Sequence, residues 1–256
     1  PTSLLEASVI QWQWKEDVFP ECDQFNGIHE GLVQSWKDIF PKKGEIYFAG
    51  ALENNEDTGT LQYLASTAME AGFSTRVLDM QALDLQNGRF FDPAGELVNR
   101  CFKLYPWEWM VDESPDGCLA EMEWLEPIWK LVMSNKAILA TLYELFPDSP
   151  YVLPCYLSRP RSGLFCKKPV FSREGHNVSV VDIRNWEEHV RIAETEGDYN
   201  TGAYVYQEYV EPTVYSGRYP VIGSWIIGGE AAGIGIRENR MEVTDNLSEF
   251  VPHIIG

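Results

Sequence analysis

The run Lys168-Pro169-Val170-Phe171-Ser172-Arg173-Glu174-Gly175-His176-Asn177 sets a lysine at the end of a predicted strand, ahead of a short polar loop that closes on glycine. Lys168 can supply a point charge, and the backbone N–H groups near Ser172 and Gly175 can supply oriented donors, so such a loop can fold over a triphosphate. Its spacing is not that of a Walker A loop, and Gly233-Ile234-Gly235 runs into Arg237 without the third glycine of a dinucleotide fingerprint. An ordinary hairpin turn beside a snorkelling lysine is the structural alternative. Further on, the polar pair Gln207-Glu208 interrupts an apolar strand pattern from Tyr204 to Val210. A polar pair there can hydrogen-bond an adenine edge while apolar neighbours cover the ring, or it can simply face solvent. Asn135-Lys136 opens a helical pattern, and a lysine at a helix start suits a phosphate as well as it suits water.

The elements that must hold these residues follow from periodicity. Ser3 and Glu6 form a capping-box pattern that opens a helical segment reaching Phe40, broken near Asp23 to Asn26, with Trp12, Trp14, Phe25 and Trp36 expected on inward faces. After Pro41-Lys42-Lys43-Gly44, the run Ile46 to Ala49 reads as a buried parallel strand. Helical spacing from Glu56 to Gly72 puts Leu61, Leu64, Ala65 and Met69 on one face, and Thr75 to Leu78 resumes as strand. Strand, helix and strand make a βαβ unit with a right-handed crossover, whose ligands gather at the carboxyl ends of the strands. Glu53-Asn54-Asn55-Glu56-Asp57 lies at such an end, although acids at a helix start are also favoured by its dipole. Asn87-Gly88 and Pro93-Ala94-Gly95 mark turns, and Ser134 to Phe146 reads as helix. The last third is β-rich and predicts an antiparallel sheet with a helical insert from Trp186 to Glu196 and a hairpin around Gly228-Gly229. The expected fold is mixed α/β (α+β), with a helical segment over 1–40, an α/β lobe over 41–130 that holds the Glu56-Asp57 pair and a lobe over 131–256 that holds the candidate triphosphate loop.

Composition narrows the partners. A formal charge of -19 disfavours nucleic acid and anionic membranes, which are bound by clustered Lys and Arg. The five cysteines are scattered and never form the close pairs of zinc or redox motifs, which fits a reducing, cytoplasmic setting. The most apolar stretch, Val221 to Ile236, contains five glycines and Glu230 and is too broken to cross a bilayer as a helix. Trp107, Trp109, Trp124 and Trp129 could stack on sugars, but core packing explains them more simply. The chain opens on Pro1 with no initiator Met, so the numbering is expected to begin within a longer protein.

Taken in order, Ser134-Asn135-Lys136-Ala137-Ile138-Leu139, Lys168-Pro169 with its Ser-Arg-Glu-Gly loop, Tyr206-Gln207, and Gly233-Ile234-Gly235-Ile236-Arg237-Glu238 resemble the glutathionylspermidine synthase family. The likeness is closest to its shorter acid–amine ligases that lack an amidase domain. The opening Pro1 to Ala7 and the segment Tyr105-Pro106-Trp107-Glu108 belong to the same pattern, so the resemblance covers nearly the whole chain. It implies a permuted ATP-grasp fold and an ATP-dependent carbon–nitrogen ligase that joins a small carboxylate to an amine through an acyl phosphate. By the same resemblance, Lys136 and Lys168 contact the ATP phosphates, and the loop containing Ser172, Glu174 and Gly175 closes over them. Gln207 and Glu208 hold adenine, Arg237 faces the phosphates, and a strand near Glu242 lines the nucleotide. Glu56 and Asp57 match an acidic pair that contacts the amine and peptide substrates, with Ser3, Trp107 and Glu108 as further substrate contacts. Magnesium is implied as well, but its ligands are expected upstream of Pro1 and none is assigned within the chain. Leu104 stands where the synthase has a glutathione-contacting threonine, which leaves the acid open. A nucleotide-responsive binding or assembly protein without ligase activity is the rival expectation.

Overall fold

A computed structural model of the chain describes residues 3–190, 195–197, 199, 202–243 and 248–256. The chain divides into two compact units, one of Thr2–Lys130, Ile222–Ile236 and Val251–Gly256, the other of Leu131–Val221 and Arg237–Phe250.

In the first unit a π-helical turn, Glu6–Ile10, runs into α1 (Gln11–Val18), followed by α2 (Ile28–Ile39). The capping box forms as the sequence predicts: Ser3 N donates to a Glu6 carboxylate oxygen at 3.1 Å, and Glu6 N donates to Ser3 Oγ at 3.3 Å. Trp36 is buried, but Trp12 and Phe25 are exposed, against expectation. The π turn takes up an extra residue and shifts the helical phase, so the fully buried Gln11 points inward in place of Trp12 and donates through Nε2 to the Ile234 carbonyl at 3.0 Å.

Strand β1 (Glu45–Gly50), helix α3 (Asn55–Glu70) and strand β2 (Ser74–Asp79) form the predicted βαβ unit, with β1 and β2 parallel. Two small hairpins follow, β3 (Asp84–Gln86) with β4 (Arg89–Phe91), and β4 with β5 (Leu97–Val98). Asn87 and Gly88 turn the first with φ of 50° and 75°, the left-handed pair that a tight hairpin needs. Then come β6 (Arg100–Leu104), α4 (Trp107–Glu113), α5 (Pro115–Cys118) and β7 (Glu123–Leu125). The sheet order is β2-β1-β6-β7, all parallel, so β1 is interior and buried on both faces, as its unbroken apolar run requires. Leu61, Leu64, Ala65 and Ala68 of α3 pack on this sheet beside Ile46, Phe48 and Trp36. That stripe turns Met69 outward, where it is 61% exposed rather than part of the predicted face. Across the core, Trp36 Nε1 donates to Thr67 Oγ1 at 2.9 Å.

In the second unit, α6 (Leu131–Ser134) and α7 (Ala137–Leu145) precede β8 (Cys155–Tyr156), β9 (Gly163–Pro169), β10 (Ser179–Arg184), β11 (Glu187–Val190) and β12 (Tyr204–Glu208). These strands form an antiparallel sheet in the order β11-β10-β9-β12-β8. The helical insert expected from Trp186 is not found over Glu187–Val190, which is strand β11 paired with β10. Asn185 and Trp186 both have positive φ and fold the chain back as a hairpin turn, and Lys167 then holds Glu188 in an ion pair at 2.8 Å across the sheet. Residues 191–194 of the expected insert lie outside the described residues. β13 (Tyr219–Ile227), β14 (Glu230–Asn239) and β15 (Glu249–Val251) make a three-stranded sheet whose residues are divided between the two units, with Gly228-Gly229, in the first unit, at the predicted hairpin turn. Among the described residues no helix is long and apolar enough to cross a membrane.

Candidate functional site

Most of the residues assigned to nucleotide binding fall in the second unit, around the end of β9. Lys168 lies opposite Val205 of β12, and its Nζ donates to Gln207 Oε1 at 2.7 Å. Side chains alternate along a strand, so Lys168, Cys166, Val205 and Gln207 share one face, the one on which Ala140 of α7 meets Cys155 and Val205. Burial raises the Cys166 thiol above its ordinary value and the Lys168 charge partly offsets it. The same alternation sends Glu208 to the opposite face, exposed, so its carboxylate and the Gln207 amide cannot grip one ring edge together. The backbone of Glu208 instead donates to the Pro154 carbonyl at 2.7 Å.

Beyond Pro169 the chain leaves the sheet and meets the start of α7. Asn135 Oδ1 accepts from Ala137 N at 2.8 Å, while Lys136 N donates to the Val170 carbonyl at 2.8 Å. The Lys136 ammonium then donates to Ser172, to its carbonyl at 2.5 Å and its hydroxyl at 2.9 Å. Lys136 therefore holds the glycine loop directly. The loop turns through Glu174 and Gly175 at φ of 56° and 74°, with His176 N donating to the Arg173 carbonyl at 2.9 Å. Its far side is braced by residues that no local signal marks: Asn177 Oδ1 accepts from Tyr199 N at 2.8 Å, and the Tyr199 hydroxyl accepts from Arg173 Nη1 at 3.3 Å. Thr195 adds a third brace, its hydroxyl accepting from Val178 N at 2.8 Å. Arg237 lies on β14 in the same compact unit. Glu242 lies past the end of β14 rather than on a strand, and its carboxylate accepts from the Tyr209 hydroxyl.

The residues assigned to substrate lie in the first unit. Glu56 and Asp57 occupy the first turn of α3, just beyond the carboxyl end of β1, where Asn54 Oδ1 caps the helix by accepting from Glu56 N at 2.8 Å. Ser3 spends its hydroxyl and amide on the capping box. The Trp107 indole is buried, donating to the Glu126 carbonyl at 3.2 Å and meeting Trp124 edge-on with centroids 5.8 Å apart, while Glu108 is half-buried in the first turn of α4. Trp107 and Trp124 are thus core aromatics, and no sugar platform includes them. Lys103, which sequence reasoning overlooked, lies directly under Trp107 with its Nζ 3.8 Å from the ring centroid. Among the described residues no three His, Cys, Asp or Glu side chains converge as a metal site would.

The family described as glutathionylspermidine synthase preATP-grasp matches residues 1–256, the whole sequence. The chain belongs to the glutathionylspermidine synthase family. A Haemophilus influenzae protein described as an acid–amine ligase is 37% identical, over 99% of this chain and 68% of its own length. A trypanothione synthetase of Crithidia fasciculata is 27% identical over 97% of this chain, and a bifunctional glutathionylspermidine synthetase/amidase of Escherichia coli is 25% identical over 98%. The chain spans only 42% and 45% of those last two relatives. Membership of the glutathionylspermidine synthase family places the chain among ATP-dependent carbon–nitrogen ligases. A solved structure from Methylobacillus flagellatus, described as a gamma-glutamylcysteine synthetase, superposes with a TM-score of 0.58 at 8% identity, covering 88% of this chain and 72% of that one. That likeness is one of fold alone, the ATP-grasp type.

Proposed function

We propose that the protein to which this chain belongs joins a peptide-like carboxylate to an amine at the expense of ATP, through an acyl phosphate. One observation supports this reading above the rest: residues far apart in sequence meet around a single strand end, Lys168 on Gln207 and Lys136 on the Ser172 loop. A lysine at a strand end, a second lysine at a helix start and a glycine loop between them make a cradle for phosphate groups.

ATP supplies the phosphoryl group that turns a poor electrophile into a good one. The substrate carboxylate oxygen attacks the γ-phosphorus and the bridging oxygen leaves with ADP. The amine nitrogen then attacks the acyl carbon, the carbon–oxygen bond to phosphate breaks, and the amide forms as the nitrogen loses its proton. Lys136, Lys168 and Arg237 stabilise charge on the transferring group, since positioning and electrostatics dominate phosphoryl transfer. The Ser172 to Gly175 loop shields the acyl phosphate from water. Glu56 and Asp57 hold the cationic amine, and Glu108 with the start of α4 faces the acid. Leu104 in place of a threonine leaves the peptide acid open between glutathione and a related peptide. The setting is cytoplasmic and the partners are small molecules.

The test uses the full-length protein. ATP binding is measured by calorimetry with and without magnesium, then phosphate release and amide formation are followed with panels of peptide acids and polyamines. ATP bound without an amide from any pair would leave a nucleotide-responsive binding protein and sink the ligase reading.

A further inference from the structure

Lys103 is a charged side chain in a place where a parallel sheet ordinarily has only apolar ones. It is next to last on β6, an interior strand, opposite Ala49 of β1, and only 7% exposed. Burying an ammonium costs free energy that an apolar residue would not, so compensating contacts must hold it. Nζ donates to the Tyr105 carbonyl at 2.7 Å, and the Trp107 ring lies over it at 3.8 Å. A cation this close to an indole face, away from water, is held strongly. The indole is fixed in turn by the Glu126 carbonyl and by Trp124. Lysine, turn and ring thus form one buried assembly behind the start of α4, at the carboxyl end of β6, where parallel sheets gather ligands.

We propose that Lys103 is a positioning residue for the acid substrate: its tether to the Tyr105 carbonyl and the Trp107 indole sets the turn that presents Leu104 and Glu108. This rests on the reading that the 104–108 segment faces the acid. The grip of this ammonium on the ring depends on pH. Burial pushes its ammonium down to about 8 from the ordinary 10.5, while the Cys101 thiol on the same strand, Cys118 on α5, Glu108 on α4 and Glu126 after β7 oppose that shift. As pH rises through that value the cation that grips the indole is lost and the turn loosens.

The experiment measures ATP-dependent phosphate release by the full-length protein, with glutathione as acid and spermidine as amine, over a window of roughly pH 6.5 to 9.5 that brackets the lysine's value. Wild type is compared with K103R, which stays charged throughout, and with K103M. The ratio of wild type to K103R cancels the titration of the glutathione thiol and the spermidine amines. The expected result is a glutathione KM that rises about tenfold with pH in wild type relative to K103R, with the KM for ATP unmoved, as an interaction serving acid binding alone requires. K103M is expected to show the raised KM at every pH. Identical profiles for wild type and K103R overturn the proposal, and so does a K103M variant that loses kcat and all three KM values together. If K103M does not fold, the K103R comparison decides. No phosphate release from wild type with this pair or any other acid and amine would bring down the ligase reading and the proposal with it, whereas turnover with a pH-independent ratio brings down the proposal alone.

Discussion

Replacing Lys168 by Ala tests whether the end of β9 is the phosphate cradle. The lysine is half-buried, and its ammonium donates to Gln207 Oε1 at 2.7 Å. An ammonium about 4 Å from a phosphate charge, at an effective dielectric constant near 20, gains on the order of 4 kcal/mol. Losing that from the transition state lowers kcat/KM about a thousandfold. The cost to the fold is smaller. A hydrogen bond from a charged donor contributes about 1.5–3 kcal/mol, and water can replace the ammonium at a half-buried oxygen, so the loss should sit at or below the lower end. Against a typical stability of about 5–15 kcal/mol the variant stays folded. Calorimetric ATP affinity and initial rates of phosphate release measure the first effect, and urea denaturation the second. Combining K168A with Q207A should add little to the loss of ATP affinity, because the two groups act as one contact. A folded K168A variant with wild-type turnover would refute the argument, as it would show that the Lys168–Gln207 pair merely ties two strands together.

Removing the Ser172 hydroxyl with S172A leaves Lys136 its bond to the Ser172 carbonyl, so the KM for ATP should rise only about threefold to tenfold, in line with roughly 1 kcal/mol for one hydrogen bond; an unchanged KM would detach the loop from the nucleotide. Glu56→Gln should raise the KM for the amine more than that for ATP, and equal losses would reduce Glu56 to a helix-start acid. Thr67→Val strands the Trp36 indole N–H in the core and should cost about 1–3 kcal/mol by urea denaturation. For Lys103 the sign follows from its value near 8 against 10.5 when unfolded. Between those values the unfolded chain binds more protons, so stability rises with pH, and the full penalty, on the order of 3 kcal/mol, is present below pH 8. The Cys101 thiol, raised to about 12 by burial, works the other way above its ordinary 9, which makes the difference between wild type and K103M the quantity to follow. That difference should move in favour of wild type from pH 8 upward, and a pH-independent difference would mean that Lys103 is not strained by burial.

Much of the fold can be read from neighbouring residues. The Ser3–Glu6 box, the buried run of β1, the crossover through α3 and the turns at Asn87-Gly88 and Gly228-Gly229 all arise from preferences that act over a few residues. The same reasoning brings out the lysines, the glycine loop and the acidic pair at the start of α3, because charges at strand ends and helix starts stand out from an apolar background. It misplaces Trp12, since a single π turn changes the phase of everything after it. It also reads helix into Glu187–Val190, where a positive φ at Asn185 and Trp186 returns the chain to the sheet and Lys167 pairs with Glu188.

Contacts between distant segments are beyond that reach. That Lys168 meets Gln207 and not Glu208 depends on the β9–β12 register, and a shift of one residue would exchange the two. That Lys136 seizes Ser172, that Thr195 and Tyr199 brace the loop, and that Lys103 is buried beneath Trp107 depend on strands and helices that are remote in the chain arriving side by side. Helix and strand type respond to local pattern, but burial and charge pairing are properties of the assembled core, where desolvation and register act on residues that carry no mark of each other.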